Sequence, residues 1–227
     1  MPLQPRSWPP EGPWSALDPS PEAPPALWLI DRRQDGLIDR RPALLSLLCA
    51  EEQARLERLR RADDRDRFLL GRGVLRLLLG RLCGEDPAGL ELATGPYGKP
   101  RLADRDGARL PIKPPEFNIA HSGDLVLLGF HASRPVGVDV EWHRPGLAWA
   151  PIARRCLAPD LCEAIEAQPA AARLPVFLRH WCRLEAQLKA QGTGFGASLE
   201  PTPSSLAEVV LHDLELPQGY SGAAALV

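Results

Sequence analysis

The chain has 227 residues, of which 44% are hydrophobic and 25% are charged, and its formal net charge at pH 7 is -2. This composition is typical of a globular protein that can bury a substantial core. The small net charge and the lack of a basic tail argue against a nucleic-acid partner. No stretch approaches the roughly 18 apolar residues that a membrane span requires, so we expect no membrane association.

The first 26 residues are rich in proline and lack the apolar stretch of a signal peptide. We therefore predict an extended or flexible segment over residues 1–26. An alternative use of these prolines is the binding of a partner protein.

Cysteine usage indicates the compartment. The five cysteines are odd in number, widely spaced and without a C-x-x-C pair, which predicts reduced and mostly buried thiols in a cytoplasmic protein. The five histidines are equally scattered, which argues against a metal site built from histidines.

Apolar periodicity predicts the elements of the first half of the chain. Ala26–Ile30 is a candidate strand, and helices are predicted over residues 43–61 and 64–82. Gly71 and Gly73 lower the helix propensity of the second helix, which indicates close packing or the approach of a ligand.

The second half continues with strands over residues 125–130 and 136–141, then helices over residues 151–168 and 172–191. Two further strands are predicted over residues 208–216 and 223–227. Because helices and strands do not alternate strictly, the order favours an α+β fold over a doubly wound parallel sheet. Both halves show a long amphipathic helix with short strands, which hints at two similar halves.

The segment Gly137-Val138-Asp139-Val140-Glu141 is an apolar strand that carries two carboxylates. Side chains alternate along a strand, so Asp139 and Glu141 point to the same face and repel each other. A Mg²⁺ ion between them would relieve this repulsion and leave coordination positions for phosphate and water. Two solvated acids on an edge strand are the alternative.

The helix predicted over residues 172–191 supplies a third carboxylate. Trp181, Glu185 and Lys189 follow one another at intervals of four residues, so they share one helix face. By itself this pattern also fits a surface Glu–Lys pair beside a packed tryptophan. Together with the acidic strand, Glu185 can complete a Mg²⁺ site that is open to a diphosphate.

Candidate phosphate contacts are distributed over three segments. Lys99 lies in a turn rich in glycine and proline, where we expect its ammonium group to be free. His121 precedes a Ser-Gly turn that can direct backbone N–H groups toward an anion. Arg67 and Arg72 lie among many arginines, and a solvated helix face is the alternative for both.

Five short motifs occur together in one order: R-F-L-L-G-R-G-V-L-R at 67–76, Y-G-K-P at 97–100, F-N-I-A-H-S-G at 117–123, V-G-V-D-V-E at 136–141 and W-C-R-L-E-A-Q-L-K-A at 181–190. In this order and spacing the chain resembles the 4′-phosphopantetheinyl transferases, specifically the pseudo-dimeric Sfp-type branch. The resemblance covers roughly residues 45–195. It implies two similar α+β halves, over residues 27–134 and 135–227, with an active site in the cleft between them.

The resemblance implies an activity as well. Such enzymes transfer the 4′-phosphopantetheine moiety of coenzyme A to a serine of an acyl or peptidyl carrier protein and release 3′,5′-ADP. The implied cofactor is Mg²⁺, coenzyme A is the co-substrate, and this branch serves secondary metabolism. We expect a monomer in the cytoplasm.

The resemblance also assigns roles to individual residues. Asp139, Glu141 and Glu185 are the implied Mg²⁺ ligands. Glu185 is the expected base for the serine proton, and Lys189 and His121 are expected at the coenzyme A phosphates. The remaining coenzyme A contacts are expected from Arg55, Arg67, Arg72 and Lys99, with Arg67 at the 3′-phosphate.

One position departs from the family pattern. Leu184 stands where the family usually has the lysine of W-x-x-K-E-A, and it lies in an apolar stripe with Phe177, Trp181 and Leu188. We predict that Leu184 packs against neighbours and takes no part in the reaction. A non-catalytic paralogue that binds coenzyme A or a carrier protein is the first alternative function. A Mg²⁺-dependent phosphate-ester hydrolase is the second.

Overall fold

A computed structural model describes residues 1–10, 16–95, 98–103, 114–193 and 208–227. Tyr97, the first residue of the Y-G-K-P motif, lies outside this part of the chain. The described residues form a mixed α and β structure with several sheets, as the predicted α+β class requires. None of the described helices is long and apolar enough to cross a membrane.

The N-terminal half contributes six described strands: β1 (Arg6–Ser7), β2 (Ala26–Asp31), β3 (Leu92–Thr94), β4 (Pro100–Leu102), β5 (Glu116–Ser122) and β6 (Leu125–His131). Four of them form a sheet in the order β1-β2-β6-β5, and β3 pairs with β4. Every residue of β6 is buried, because this strand lies between β2 and β5 and has packed neighbours on both faces. This explains its continuous apolar sequence.

Three helices accompany this sheet: α1 (Leu37–Leu45), α2 (Ala50–Arg58) and α3 (Ala62–Cys83). The single helix predicted over residues 43–61 is therefore wrong. Glu52 Oε2 accepts hydrogen bonds from Cys49 N at 3.2 Å and from Arg76 Nε of α3 at 2.7 Å. This buried ion pair fixes a new helix start at Ala50, which no local pattern of apolar residues reveals.

The two glycines of α3 allow close packing. A Cβ atom on Gly71 would lie 2.7 Å from the Cδ1 atom of Ile119 in β5. One on Gly73 would lie 2.7 Å from the Cβ atom of Leu44 in α1. The close packing predicted from these glycines is thus confirmed.

The C-terminal half has three helices, α4 (Trp149–Cys156), α5 (Pro159–Glu166) and α6 (Ala170–Gln191), and three described strands, β7 (Val136–Trp142), β8 (Val210–Asp213) and β9 (Tyr220–Leu226). The strands form an antiparallel sheet in the order β7-β9-β8. The helix predicted over residues 151–168 is divided into α4 and α5. Leu157 and Ala158 are extended, and Pro159 occupies the first turn of α5, where its missing N–H costs nothing.

Helix α6 packs directly on β7 through small residues. A Cβ atom on Gly137 would lie 2.0 Å from the carbonyl oxygen of Ala186 and 2.4 Å from the backbone nitrogen of Ala190. Only glycine permits this approach. It brings the side chains of α6 beside those of β7.

The two sheets adjoin along β5 and β7 through bonds between side chains and backbone, which we call the seam. Asn118 Oδ1 accepts the N–H of Val138 at 2.9 Å, and Ser122 Oγ accepts the N–H of Trp142 at 3.1 Å. Both bonds satisfy backbone donors of β7 that have no strand partner on this side.

The prediction that residues 1–26 form a flexible segment is wrong for the residues from Leu3 to Trp8. Leu3 N donates to Asp213 O at 2.8 Å, and Glu215 N donates to Leu3 O at 2.9 Å. The strand β1 adds to the sheet of the N-terminal half, and Trp8 is only 4% exposed. Prolines do not prevent this order, because the residues between them make the backbone pairs. The segment therefore links the outer edges of both sheets.

Candidate active site

A cavity of about 450 Å³ lies beside the seam and receives side chains from both halves. All nine residues that the sequence singled out line it: Arg55, Arg67, Arg72, Lys99, His121, Asp139, Glu141, Glu185 and Lys189. We call this space the acidic–basic cavity, because three acids and six basic residues line it together with uncharged residues. The structure thus brings together residues that are separated by more than half of the chain.

The acids of β7 share one face, as strand alternation predicted. Asp139 is 4% exposed, and its Oδ2 atom is buried without a hydrogen-bond partner. Burial raises the pKa of Asp139 to about 6, although the nearby ammonium group of Lys189 opposes the shift. The ionised carboxylate is therefore short of positive charge.

Lys189 lies one helical turn beyond Glu185 on α6 and forms an ion pair with Asp139. Its Nζ atom donates to Asp139 Oδ1 at 2.6 Å. The ammonium group has two further N–H donors and the Lys189 side chain is 30% exposed, so it can still hydrogen-bond a ligand in the cavity.

Glu141 and Glu185 complete the acidic wall. Ser122 Oγ donates to Glu141 Oε2 at 2.7 Å, which leaves the second oxygen of this carboxylate for another partner. Burial raises the pKa of Glu185, and the negative charge of Glu141 adds to the shift while Lys189 opposes it. An added cation would therefore stabilise the ionised forms of these three carboxyl groups.

Within the described residues, no group of three or more His, Cys, Asp or Glu side chains stands in metal-binding geometry. The donor set nevertheless suits a hard divalent cation, because it offers carboxylate oxygens only. The unpartnered Oδ2 of Asp139 and the raised pKa values of Asp139 and Glu185 indicate the same deficit of positive charge. Asp139, Glu141 and Glu185 are thus the residues that could hold the ion.

The basic wall is formed by α2 and α3. The guanidinium carbons of Arg55 and Arg72 lie 5.3 Å and 5.9 Å from the ring centroid of Phe68, within the range of cation–π contacts. Burial lowers the pKa of Arg72, and Glu52 at 3.9 Å only partly compensates. An anion in this part of the cavity would relieve the excess positive charge.

The environment of Lys99 differs from the one predicted from the sequence. Its Nζ atom donates to the carbonyl oxygen of Val136 at 2.9 Å, so the ammonium group that was predicted to be free bridges the two halves. Burial lowers the pKa of Lys99. It still lines the cavity and retains two N–H donors.

His121 and Arg67 both line the acidic–basic cavity and lie close enough for their charges to interact. Partial loss of water contacts, and after it the positive charge of Arg67, lower the pKa of His121 and favour the neutral imidazole. Arg67 donates to the carbonyl oxygen of Gly123 at 2.7 Å and pairs with Asp64. These contacts hold Arg67 against the turn after β5, in place of the solvated position that was the alternative.

A second, larger cavity of about 750 Å³ adjoins the first and shares Arg67, His121 and Glu141 with it. Its apolar wall comes from the end of β7, the loop between β7 and α4, and the helices α4 and α6: Trp142, Leu147, Ile152, Phe177, Leu178 and Trp181. The sequence motifs did not predict this apolar cavity. The density of aromatic residues between residues 142 and 181 was the only available signal.

Two further contacts were missed. Ser122 donates a hydrogen bond to Glu141. Strand alternation places Ser122 on the same face of β5 as Ala120, toward the seam, and could have suggested this contact. The hydroxyl of Tyr220 accepts the N–H of Asp124 at 2.9 Å, and no sequence pattern indicates this contact. Leu184 is partly buried and is not among the described residues that line the cavities.

Comparison with known proteins gives a consistent result. The family model described as "4'-phosphopantetheinyl transferase superfamily" matches residues 135–219, and the model "4'-phosphopantetheinyl transferase, N-terminal" matches residues 40–133. The two matches meet where the structure passes from the first sheet to the second.

Three curated relatives illustrate the similarity. A putative 4′-phosphopantetheinyl transferase of Synechocystis sp. is 35% identical over 77% of this chain and 68% of its own length. The 4′-phosphopantetheinyl transferase HetI of Nostoc sp. is 34% identical over 86% of this chain and 79% of its own. The 4′-phosphopantetheinyl transferase Sfp of Bacillus subtilis is 27% identical over 78% of this chain and 75% of its own.

Proposed function

Because the chain belongs to the 4′-phosphopantetheinyl transferase superfamily, we propose that it transfers the 4′-phosphopantetheine arm of coenzyme A to a serine of an acyl or peptidyl carrier protein. The observation that carries the proposal is that all nine predicted residues line one cavity. Its acids suit a cation and its basic groups suit phosphates, which is what a diphosphate substrate requires.

The basic wall would bind the nucleotide end of coenzyme A. Arg55 and Arg72 lie on Phe68 at one part of the cavity, and Arg67 lies beside His121. Arginine suits phosphate because its planar N–H donors match two phosphate oxygens at once. Coenzyme A carries a 3′-phosphate and a diphosphate, and the two groups of arginines offer separate positions for them.

Asp139, Glu141 and Glu185 are the proposed Mg²⁺ ligands. The ion would neutralise the diphosphate and favour departure of 3′,5′-ADP. Lys189 would add an ammonium donor next to Asp139, while His121 contributes a neutral N–H donor. Donors that are fixed before the substrate binds stabilise developing charge most effectively.

Glu185 is the proposed general base. Burial raises the pKa of Glu185 in the metal-free protein, and a carboxylate oxygen that the ion leaves free would accept the serine proton. In the proposed step the serine oxygen forms a bond to the β-phosphorus, the bond to the 3′,5′-ADP oxygen breaks, and the serine proton passes to Glu185. Such a phosphoryl transfer depends on positioning and charge neutralisation more than on covalent catalysis.

The carrier protein would approach through the larger cavity, which shares Glu141 and His121 with the acidic–basic cavity but is not lined by Arg55 or Arg72. Arg61 and Arg144 line this cavity together with apolar residues, whereas its third arginine, Arg32, is already paired with Asp63 and Asp124. Arg61 and Arg144 beside the apolar wall would favour an acidic partner and accelerate its binding. A cytoplasmic carrier of secondary metabolism is the proposed substrate.

The test is incubation with coenzyme A, Mg²⁺ and several apo carrier proteins, followed by intact-mass measurement of the carriers. We expect a gain of one phosphopantetheine mass, which Asp139→Ala abolishes without unfolding the protein. Glu163→Ala, which removes an exposed acid of α5, is the matched control and keeps the transfer.

Two outcomes would contradict the proposal. Binding of coenzyme A without a mass gain on any carrier would indicate a non-catalytic binding protein. Release of 3′,5′-ADP from coenzyme A in the absence of a carrier would indicate a hydrolase.

A further inference from the structure

Ser122 connects the seam to the acidic wall through a single oxygen atom. Its Oγ atom accepts the N–H of Trp142 at 3.1 Å and donates to Glu141 Oε2 at 2.7 Å. A hydroxyl has one hydrogen to donate. Because the Trp142 N–H can only donate and the Glu141 oxygen is the acceptor, the one hydroxyl hydrogen is directed toward Glu141.

The turn that carries Ser122 is held from both halves of the molecule. Gly123 has φ +56°, and a Cβ atom there would lie 2.5 Å from the hydroxyl oxygen of Tyr220. Arg67 donates to the carbonyl oxygen of Gly123 at 2.7 Å, and Arg32 Nε donates to Asp124 Oδ1 at 2.6 Å. With Tyr220 bound to Asp124 N, the turn cannot shift without loss of several contacts.

Glu141 depends on this serine for its orientation. Within the described part of the chain, the Glu141 carboxylate has no hydrogen bond other than the one from Ser122, and it forms no ion pair. Asp139, by comparison, is held by Lys189. Each acid of β7 thus has one oxygen bound by the protein and one oxygen left over.

We propose that Ser122 is a positioning residue that orients Glu141 for metal binding. This inference rests on the metal site proposed above. Ser122 fixes Oε2 and leaves Oε1 for the ion, and the same oxygen atom ties the position of β5 to that of β7. Hydrogen bonds to ligating carboxylates commonly raise metal affinity, and their loss lowers it about 10- to 100-fold.

The direct test measures the affinity of the protein for Mn²⁺ by electron paramagnetic resonance, in the absence of coenzyme A and carrier protein. Mn²⁺ serves as a substitute for Mg²⁺ that this method detects. We expect Ser122→Ala to weaken Mn²⁺ binding about tenfold or more. Ser122→Thr keeps the hydroxyl and should bind Mn²⁺ close to the wild-type affinity. Ser122→Cys keeps the size but donates weakly, so it should resemble Ser122→Ala, and it serves if that variant fails to fold.

Asn118→Ala is the matched control. It also removes a side-chain oxygen that accepts a backbone N–H of β7, but it does not touch a carboxylate. We expect it to lower the midpoint of urea unfolding and to leave Mn²⁺ affinity unchanged. Equal Mn²⁺ affinity in the wild type, Ser122→Ala and Ser122→Cys would overturn the inference and leave Ser122 a purely structural contact.

Asp139→Ala separates the two proposals. If it abolishes Mn²⁺ binding while the Ser122 variants bind normally, only the role of Ser122 is refuted. If Asp139→Ala binds Mn²⁺ like the wild type, the metal site itself is refuted, and the inference falls with it.

Discussion

Lys189 Nζ lies 2.6 Å from Asp139 Oδ1 and so connects helix α6 to strand β7 at the centre of the proposed active site. Family resemblance assigned the lysine to the phosphates and the aspartate to the metal. Because the two side chains form an ion pair, the two proposed roles would be coupled. A cation at Asp139 would weaken the hold on Lys189 and free its ammonium group for the substrate.

The proposed base leads to the first prediction. Glu185→Gln keeps the size of the side chain but removes the proton acceptor, so kcat should fall about 10²- to 10⁴-fold. Binding of coenzyme A should persist, because the arginines of the basic wall are unchanged. Rapid-quench assays and calorimetry measure the two quantities. Gln187→Ala on the same helix is the control, and a kcat equal to wild type in Glu185→Gln would reject the base assignment.

The raised pKa of Asp139 predicts a pH dependence of the metal-free protein. The folded-state pKa of about 6 exceeds the ordinary value of 3.8. Folding therefore favours the protonated form, and the stability that this group contributes is lost as pH rises through 6. Asp139→Asn removes the titration, so in EDTA it should be more stable than wild type at pH 8, by at most about 3 kcal/mol.

The advantage of Asp139→Asn should shrink as pH falls from 6 toward 4. Urea unfolding of both proteins at several pH values gives the difference directly. A constant difference across this range would show that Asp139 does not titrate abnormally. Added Mg²⁺ should reverse the order at pH 8, since only the wild type has the complete carboxylate set.

Packing of α6 on β7 gives the third prediction. Gly137→Ala forces the helix away from the strand, at a cost of about 1–3 kcal/mol, and should separate Lys189 from Asp139. Transfer activity should then fall by more than the decrease in the amount of folded protein accounts for. Gly36→Ala is the control, because it adds backbone strain at φ +76° with nothing within 4 Å of the new methyl group. Equal activity of the two variants at equal stability would contradict this coupling.

The buried pair of Glu52 and Arg76 gives the fourth prediction. Arg76 is 1% exposed and also donates to the carbonyl oxygens of Pro87 and Leu90. Glu52→Ala leaves this charge without its partner and should cost about 3–5 kcal/mol. The double variant with Arg76→Met should lose less than the sum of the single losses, by at least about 1 kcal/mol. Additive losses in urea unfolding would show that the pair is not coupled.

The departure from the family pattern gives the fifth prediction. Leu184 is partly buried beside Glu185 and does not line the described cavities. Leu184→Lys should therefore fold, because a lysine can extend its ammonium group to solvent from a partly buried position. Circular dichroism and the transfer assay would test this. Loss of the folded state would show that Leu184 belongs to the core.

Much of the site was predictable because its residues obey short-range periodicity. Strand alternation placed Asp139 and Glu141 on one face, and helical spacing placed Glu185 and Lys189 on another. No such rule applies to Lys99, whose partner is the backbone carbonyl of Val136. Backbone acceptors carry no signature in the sequence.

The errors in the fold have similar causes. The buried ion pair between Glu52 and Arg76 stabilises a new helix start at Ala50, whereas apolar spacing predicted one continuous helix. Pro159 interrupted a second predicted helix, and its position was visible in the sequence. The order of the N-terminal segment was not visible, because Leu3 pairs with residues of the last strands.

The pairing of Leu3 with Leu214 has a consequence for biosynthesis. Leu3 is synthesised long before its partners beside β8. The sheet of the N-terminal half lies within the residues up to His131 and can form during translation, whereas the link between the outer edges must wait until β8 and the residues that follow it have been synthesised.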